Sequence, residues 1–279
     1  MEIEEAVARH YAHGFLEDAI LKALADAGKD VNRLTPKDLA PVDEFHIGGR
    51  LATIAFAEQF GAQPGMRLLD IGCGIGGTAR YFASEHGCQV TGIELSAEYV
   101  QVANALAARV GLSDRVSCQQ GSALSLPFAV GSFDGAYMFH VGMNIDDKAR
   151  LFSEVRRVLT PAGLFGIYDV MRLAAGDLHY PVPWTGSAEA SFVEDAASYR
   201  KLLIAEGFEV LKERNRRDFA LELFAQMKAR GAAPAPLGLH IVMGPTAGEK
   251  VKNMMGDIAA GVIAPTELIC RLNPRRLCP

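Results

Sequence analysis

The stretch Leu68-Leu69-Asp70-Ile71-Gly72-Cys73-Gly74-Ile75-Gly76-Gly77 decides the fold. Its first half is a short apolar run closing on a carboxylate, the pattern of a strand buried on both faces. Its second half sets glycine at 72, 74, 76 and 77. Glycine adopts positive φ without strain and carries no Cβ, so a ligand can lie directly against the backbone. GGTARYFASEHG (76–87) then reads as a helix, whose first N–H groups are free to meet that ligand.

Outward from this turn, short apolar runs alternate with amphipathic stretches. CQVTGIEL (88–95) is a second strand, and SAEYVQVANALAARVGL (96–112) is a helix with Ser96 as its N-cap. RVSCQQG (115–121) and FDGAYMFH (133–140) are the third and fourth strands. DDKARLFSEVRRVLT (146–160) is a helix and GLFGIYDVM (163–171) a fifth strand. Such alternation implies an α/β, doubly wound and mostly parallel sheet, with ligands bound beyond the carboxyl ends of its strands.

The flanks read differently. VARHYAHGFLEDAILKALADAG (7–28) is helical and ends at Gly28, TPKDLAPVDEFHIGG (35–49) is a turn-rich link with two prolines, and GRLATIAFAEQFG (49–61) is helical again. Beyond 172, EDAASYRKLLIAEGFEVLKER (194–214) gives a helix, a stop at Gly207 and a strand. RDFALELFAQMKARG (217–231) and HIVMGPTAGEKVKNMMGDIAAG (240–261) are helical, joined through the loop GAAPAPLG (231–238), and APTELICRL (264–272) is a last strand. Three parts are expected: a helical lid over 1–60, a ligand-binding core over 61–172, and a completion of the sheet over 173–279 whose late helical insert forms part of a second pocket.

The chain has 279 residues, 49% hydrophobic and 22% charged, with a formal net charge of −5. This composition suits a packed globular protein. The acidic balance argues against broad binding of nucleic-acid phosphates, which needs a cationic face. The clusters Arg214, Arg216, Arg217 and Arg275, Arg276 read as solvated surface. Apolar runs stay short of the roughly 20 residues that span a bilayer, and MEIEEAVARH lacks the basic start of a signal peptide. A cytoplasmic protein without membrane insertion is expected. Cys73, Cys88, Cys118, Cys270 and Cys278 form no CxxC pair and no zinc-like spacing, so no metal is expected. A homo-oligomer is compatible with the sequence, which does not specify one.

Two ligands compete for the glycine turn. Gly72-x-Gly74-x-x-Gly77, with Glu94 about 20 residues on, matches a dinucleotide fingerprint. Asp70 opposes that reading, because its carboxylate would repel a pyrophosphate and attract a ligand carrying an α-amino group and a sulfonium. Glu94 can accept two ribose hydroxyls in either case.

Taken together, LLDIGCGIGG, GIELS, GSALSLPFAVGSFDGAYMFHV and EVRRVLTPAGLFGIYDV resemble the class I S-adenosylmethionine-dependent methyltransferases over roughly residues 64–170. The resemblance implies a seven-stranded Rossmann-like sheet and S-adenosylmethionine as cofactor. By it, Asp70, Gly72, Cys73 and Gly74 hold the amino-acid end of the cofactor, Glu94 its ribose and Leu95 its adenine. Ser122 and Ala123 flank the adenine, with Ser122 standing where the family commonly has an acid; a serine hydroxyl would bond the adenine amino group more weakly. Phe139 and His140 face the sulfonium and the acceptor.

More narrowly, PVDEFHIGGR, GMNIDDK and YPVPW resemble small-molecule enzymes related to the sarcosine and dimethylglycine N-methyltransferases. This implies that Tyr11, His46 and Arg50 cover the cofactor. The expected reaction moves a methyl group to a small-molecule acceptor, with an amine favoured over an oxygen or carbon nucleophile. A fold that binds the cofactor without turnover is the alternative of another class. His140 and Tyr168 are the candidate catalytic groups, although a lone histidine is more often a satisfied structural group. Met143, Asn144, Trp184 and His240 are the candidate acceptor contacts, with Trp184 suited to cation–π attraction of an amine.

Overall fold

The computed structural model describes residues 2–11, 14–230 and 236–273. Four helices come first: α1 (Glu2–Tyr11), α2 (Leu16–Asp26), α3 (Pro36–Asp43) and α4 (Gly49–Phe60). The stretch expected as one helix over 7–28 is thus two helices, with Gly14 at φ +82° between them. The proline-bearing link expected over 35–49 contains α3. Pro36 stands at the helix start, where its missing N–H is no loss, and Thr35 with Asp38 forms a capping box. Local capping outweighs the general reading of proline as a breaker.

The core then runs β1 (Arg67–Ile71), α5 (Gly77–His86), β2 (Gln89–Glu94), α6 (Ala97–Arg109), β3 (Val116–Gln120), β4 (Phe133–Phe139), α7 (Lys148–Val158) and β5 (Leu159–Arg172). It continues through α8 (Ala196–Ala205), β6 (Phe208–Asn215), α9 (Arg217–Arg230), α10 (His240–Met243), α11 (Ala247–Ala259) and β7 (Ile263–Leu272). The seven strands form one sheet in the order β3-β2-β1-β4-β5-β7-β6. All pairs are parallel except those made by β7, which runs antiparallel to β5 and β6. The late helical segment expected from the sequence lies between β6 and β7. The segments GAAPA of the loop expected over 231–238, Arg275, Arg276 and Cys278 lie outside the described residues.

Strand order reverses between β1 and β4, so the loops after these strands diverge and leave a crevice at their carboxyl ends. Both faces of the sheet are apolar. Phe56, Phe60, Phe82 and Tyr137 pack on one side, Leu151, Phe152, Val155 and Phe165 on the other. The N-terminal helices roof the crevice through a separate apolar cluster in which Ile20, Leu24 and Leu39 meet Tyr99, Val102 and Leu106 of α6. Among the described residues no helix is long and apolar enough to cross a membrane.

One buried ion pair ties roof to core. Arg80 of α5 and Asp43 at the end of α3 are both fully buried and joined by a short contact. Arg80 also donates to the carbonyls of Ile75 at 2.7 Å and Ala103 at 3.3 Å. Gly77 is required beneath this joint, because a Cβ there would stand 2.3 Å from the Asp43 carbonyl oxygen.

Candidate functional site

The turn after β1 is shaped by its backbone. Gly72, Gly74 and Gly76 hold φ of +65°, +54° and +78°. A Cβ on Gly72 would sit 2.5 Å from a Val141 methyl in the loop after β4. Gly74 has nothing within 4 Å of its would-be Cβ, so its backbone is open to a ligand. At β2, the carboxylate of Glu94 accepts from the N–H of Gly74 at 3.1 Å and of Ser96 at 3.0 Å. These two backbone bonds aim the group. Burial pushes its carboxyl up.

Asp70 closes β1, almost wholly buried, and accepts from the Thr78 hydroxyl at 2.6 Å. Burial raises its pKa to about 7, against the opposing hydrogen bond from Thr78. A buried carboxylate on this scale is matched to a cation: an ammonium placed beside it would lower that pKa and be held in return.

These groups open into a cavity of about 390 Å³, within the range of roughly 300–1,000 Å³ usual for small-molecule sites. Of the residues singled out from the sequence, Asp70, Gly72, Cys73, Gly74, Glu94, Leu95, Ala123, Phe139, His140, Tyr11, His46 and Asn144 all line it. They come from α1, the link after α3, and the carboxyl ends of β1, β2 and β4 with the loop after β3.

Other candidates stand back from the cavity wall. Tyr168 is buried, donates its hydroxyl to the Ile47 carbonyl at 3.0 Å and lies beside the His140 ring. Arg50 pairs with Glu44 at 2.7 Å and lies over the Tyr81 ring. Met143 and Trp184 pack in an apolar cluster with Ile47, Val170 and Met254. The Trp184 indole N–H donates to Ser191 at 3.0 Å. His240 is exposed on α10, whereas its neighbour Val242 reaches the cavity. Ser122 offers its hydroxyl to the Glu4 carboxylate of α1 and accepts from the Leu124 N–H at 3.0 Å.

The end of the cavity beneath the roof is aromatic and neutral. Tyr11, Phe45 and Phe139 form walls around two imidazoles, His46 and His140, whose ring centroids are 6.0 Å apart. His46 contacts the Thr53 hydroxyl at 3.0 Å and the Gly49 carbonyl at 3.2 Å. Burial drives its pKa down to about 3, so it is neutral at any working pH. His140 follows β4 at φ +54°, a conformation uncommon for a residue with a Cβ. Its Nε2 is buried without a hydrogen-bond partner, and burial, reinforced by His46, holds its pKa well below the ordinary value. A strained, neutral imidazole with an unpartnered ring nitrogen in a cavity is a candidate contact for a ligand's polar group. Asn144 donates to the Tyr11 hydroxyl and the Trp184 carbonyl, both at 3.4 Å, while its amide oxygen is also buried without a partner.

Sequence reading passed over Glu4, Phe45, Thr78 and Tyr99, which also line the cavity. Thr78 follows the last glycine of the turn, one helical step from Asp70's reach, and could have been found from the motif. Glu4 sits in an acidic helical start with no local sign of a site.

Known proteins bear on this geometry. Residues 69–167 match the methyltransferase domain family. Sterol 24-C-methyltransferase ERG6B of Gibberella zeae is 39% identical over 113 residues, 40% of this chain and 30% of that protein. The chain spans less than two thirds of the length of the first curated relatives it matches. Among solved structures, the cyclase SpnF superposes with a TM-score of 0.63 at 28% identity over 80% of each chain. Geranyl diphosphate C-methyltransferase from Streptomyces coelicolor A3(2) superposes with a TM-score of 0.70 over 98% of each chain, and at 18% identity this speaks for the fold alone.

Proposed function

From the premise that the chain carries a class I S-adenosylmethionine-dependent methyltransferase domain, we propose that it transfers a methyl group from S-adenosylmethionine to an apolar small molecule whose nucleophile sits beside His140. The residues suit the cofactor: Asp70 is a buried carboxylate matched to an ammonium, Glu94 is oriented by two backbone N–H groups, and Gly74 leaves the backbone open. When bound, S-adenosylmethionine supplies a methyl carbon activated by positive sulfur. The chain's own work is alignment, exclusion of water and, for an acceptor that must lose a proton, its removal.

The observation that carries the reading is the unpartnered Nε2 of His140 among the aromatic residues Tyr11, Phe45 and Phe139 of the cavity. It would take the acceptor's proton as the bond to carbon forms, while Asn144 and the Tyr11 hydroxyl orient the acceptor's polar group. Phe45 and Phe139 keep water from the reacting atoms. The relatives include proteins named for sterol and tocopherol methylation, which favours an apolar acceptor. An amine, the acceptor expected from the sequence, would enter such walls as its uncharged free base; Trp184 packs in the core and does not line the cavity. A second reading, cyclisation of an apolar ligand without methyl transfer, is favoured by the likeness to SpnF.

The test is incubation of the full chain with S-adenosylmethionine and a panel of terpenoid, phenolic and amine acceptors, followed by mass spectrometry. Methylated product together with S-adenosylhomocysteine is expected. His140→Ala should lower kcat about 10²–10⁴-fold, the usual worth of a positioned general base, with cofactor affinity unchanged. Binding of the cofactor with isomerised rather than methylated products would replace this reading by the second.

A further inference from the structure

With the cofactor assigned above, the adenine end of the cavity would lie after β3 and the ribose end at Glu94, and the two are built differently. Glu94 comes from a strand of the sheet itself, whereas at position 122, after β3, the chain has a serine. A hydroxyl is a weaker partner for an amino group than a carboxylate, because a charged acceptor makes a shorter and stronger bond. The structure puts a carboxylate at the same point from elsewhere. Glu4, on the first turn of α1, meets the Ser122 hydroxyl in a short contact and itself lines the cavity. Ser122 is held for this by the Leu124 N–H.

The surroundings define what such a carboxylate would meet. Ile3, Ile93, Leu95, Ala123 and Leu124 line the cavity together with Glu4. An apolar slot of this kind suits a flat ring, and Glu4 adds a charged acceptor to its lining. A ring bearing an exocyclic amino group satisfies both features, since the ring fills the slot and the N–H donates to the carboxylate.

We propose that Glu4 is a specificity residue for the cofactor's base: it accepts the hydrogen bond from the adenine amino group, with Ser122 orienting it. The acid that the sheet lacks at position 122 is supplied by the roof. Adenine recognition is then coupled to seating of α1, so the cavity is complete for the cofactor only when the roof is down. This rests on the cofactor assignment made above.

The test is calorimetric titration of the full-length protein with S-adenosylhomocysteine and with its 6-oxo analogue S-inosylhomocysteine, which has a carbonyl where adenine has its amino group. Wild type should bind the adenine compound at least about tenfold more tightly, from the worth of a charged hydrogen bond. Glu4→Ala should lose that discrimination by weakening the adenine compound selectively, and Glu4→Ala with Ser122→Asp should restore it by placing the acid on the sheet. Equal weakening of both compounds in Glu4→Ala would make Glu4 a structural clasp and overturn the proposal. So would unchanged discrimination, or failure of the double variant to recover it with an unaltered melting temperature. Failure of wild type to bind S-adenosylhomocysteine at all is a separate result, and it would remove the cofactor assignment itself.

Discussion

The two ends of the cavity are assembled by different means. At the glycine turn, the bond that aims Glu94 joins residues 20 apart in sequence and runs to a backbone N–H. At the roof, the contacts join Ser122 to Glu4, Ile47 to Tyr168 and Tyr11 to Asn144, which are 118, 121 and 133 residues apart, and each uses at least one side chain. The first end is pre-shaped by strand, turn and helix start, so its form follows from a short motif. The second exists only when separate helices dock on the sheet.

The joint between the two ends is the place to break this contrast, and the largest effect is expected there. Arg80→Met should destabilise the protein by about 3–5 kcal/mol, because Asp43 is left as an uncompensated buried charge. The double change Arg80→Met with Asp43→Leu should recover most of that loss in a chemical denaturation curve. A single variant that melts like wild type would mean that the roof is not fastened to the glycine-turn helix through this pair.

A second experiment sharpens the fixed end. Burial pushes the Asp70 carboxyl up from 3.8 to about 7. Binding a cationic ammonium favours its ionised form, so affinity for S-adenosylmethionine should rise by up to about tenfold per pH unit below 7 and fall again above about 8, where the ligand's α-amino group loses its own proton. Titration in buffers of different ionisation enthalpy should show proton release at pH 6 that gives way to uptake near pH 8, where the ligand's amine must be protonated to bind. Asp70→Asn should abolish the rise below about 7. The same raised pKa has the opposite sign for folding: its contribution to stability is fully present below about 3.8 and is lost as pH rises through about 7. An affinity independent of pH below about 7 would separate Asp70 from the ammonium.

The smallest effect is expected at Tyr168. Its hydroxyl is engaged by the Ile47 carbonyl, so Tyr168→Phe should cost about 1 kcal/mol of stability and leave kcat within a few-fold of wild type. A fall comparable to that of His140→Ala would return Tyr168 to the catalytic role expected of it from the sequence.

How far the sequence carried the site follows the same division. Asp70, Glu94 and the glycines were legible because a strand, a turn needing positive φ and a helix start occupy consecutive residues. His140 was legible as the residue beyond a strand's carboxyl end. Trp184 and Met143 looked like acceptor contacts because of their type and their place after strands. Apolar packing with Val170 and Met254 draws both into the core instead. His240 lies on a four-residue helix whose inward face is set by Val242 and Met243. Pro36 and Pro41 suggested a link where capping at Thr35 makes a helix.

By itself the sequence determined the strand–helix alternation, the parallel core and the glycine turn, because these depend on hydrophobic period and on backbone freedom residue by residue. The tertiary structure alone decided which distant side chains close the cavity. The meeting of Glu4 with Ser122, the burial that neutralises His46 and His140, and the bond that occupies Tyr168 all arise from docking of the roof. Desolvation and long-range pairing are properties of the assembled surroundings, and no local pattern of residues encodes them.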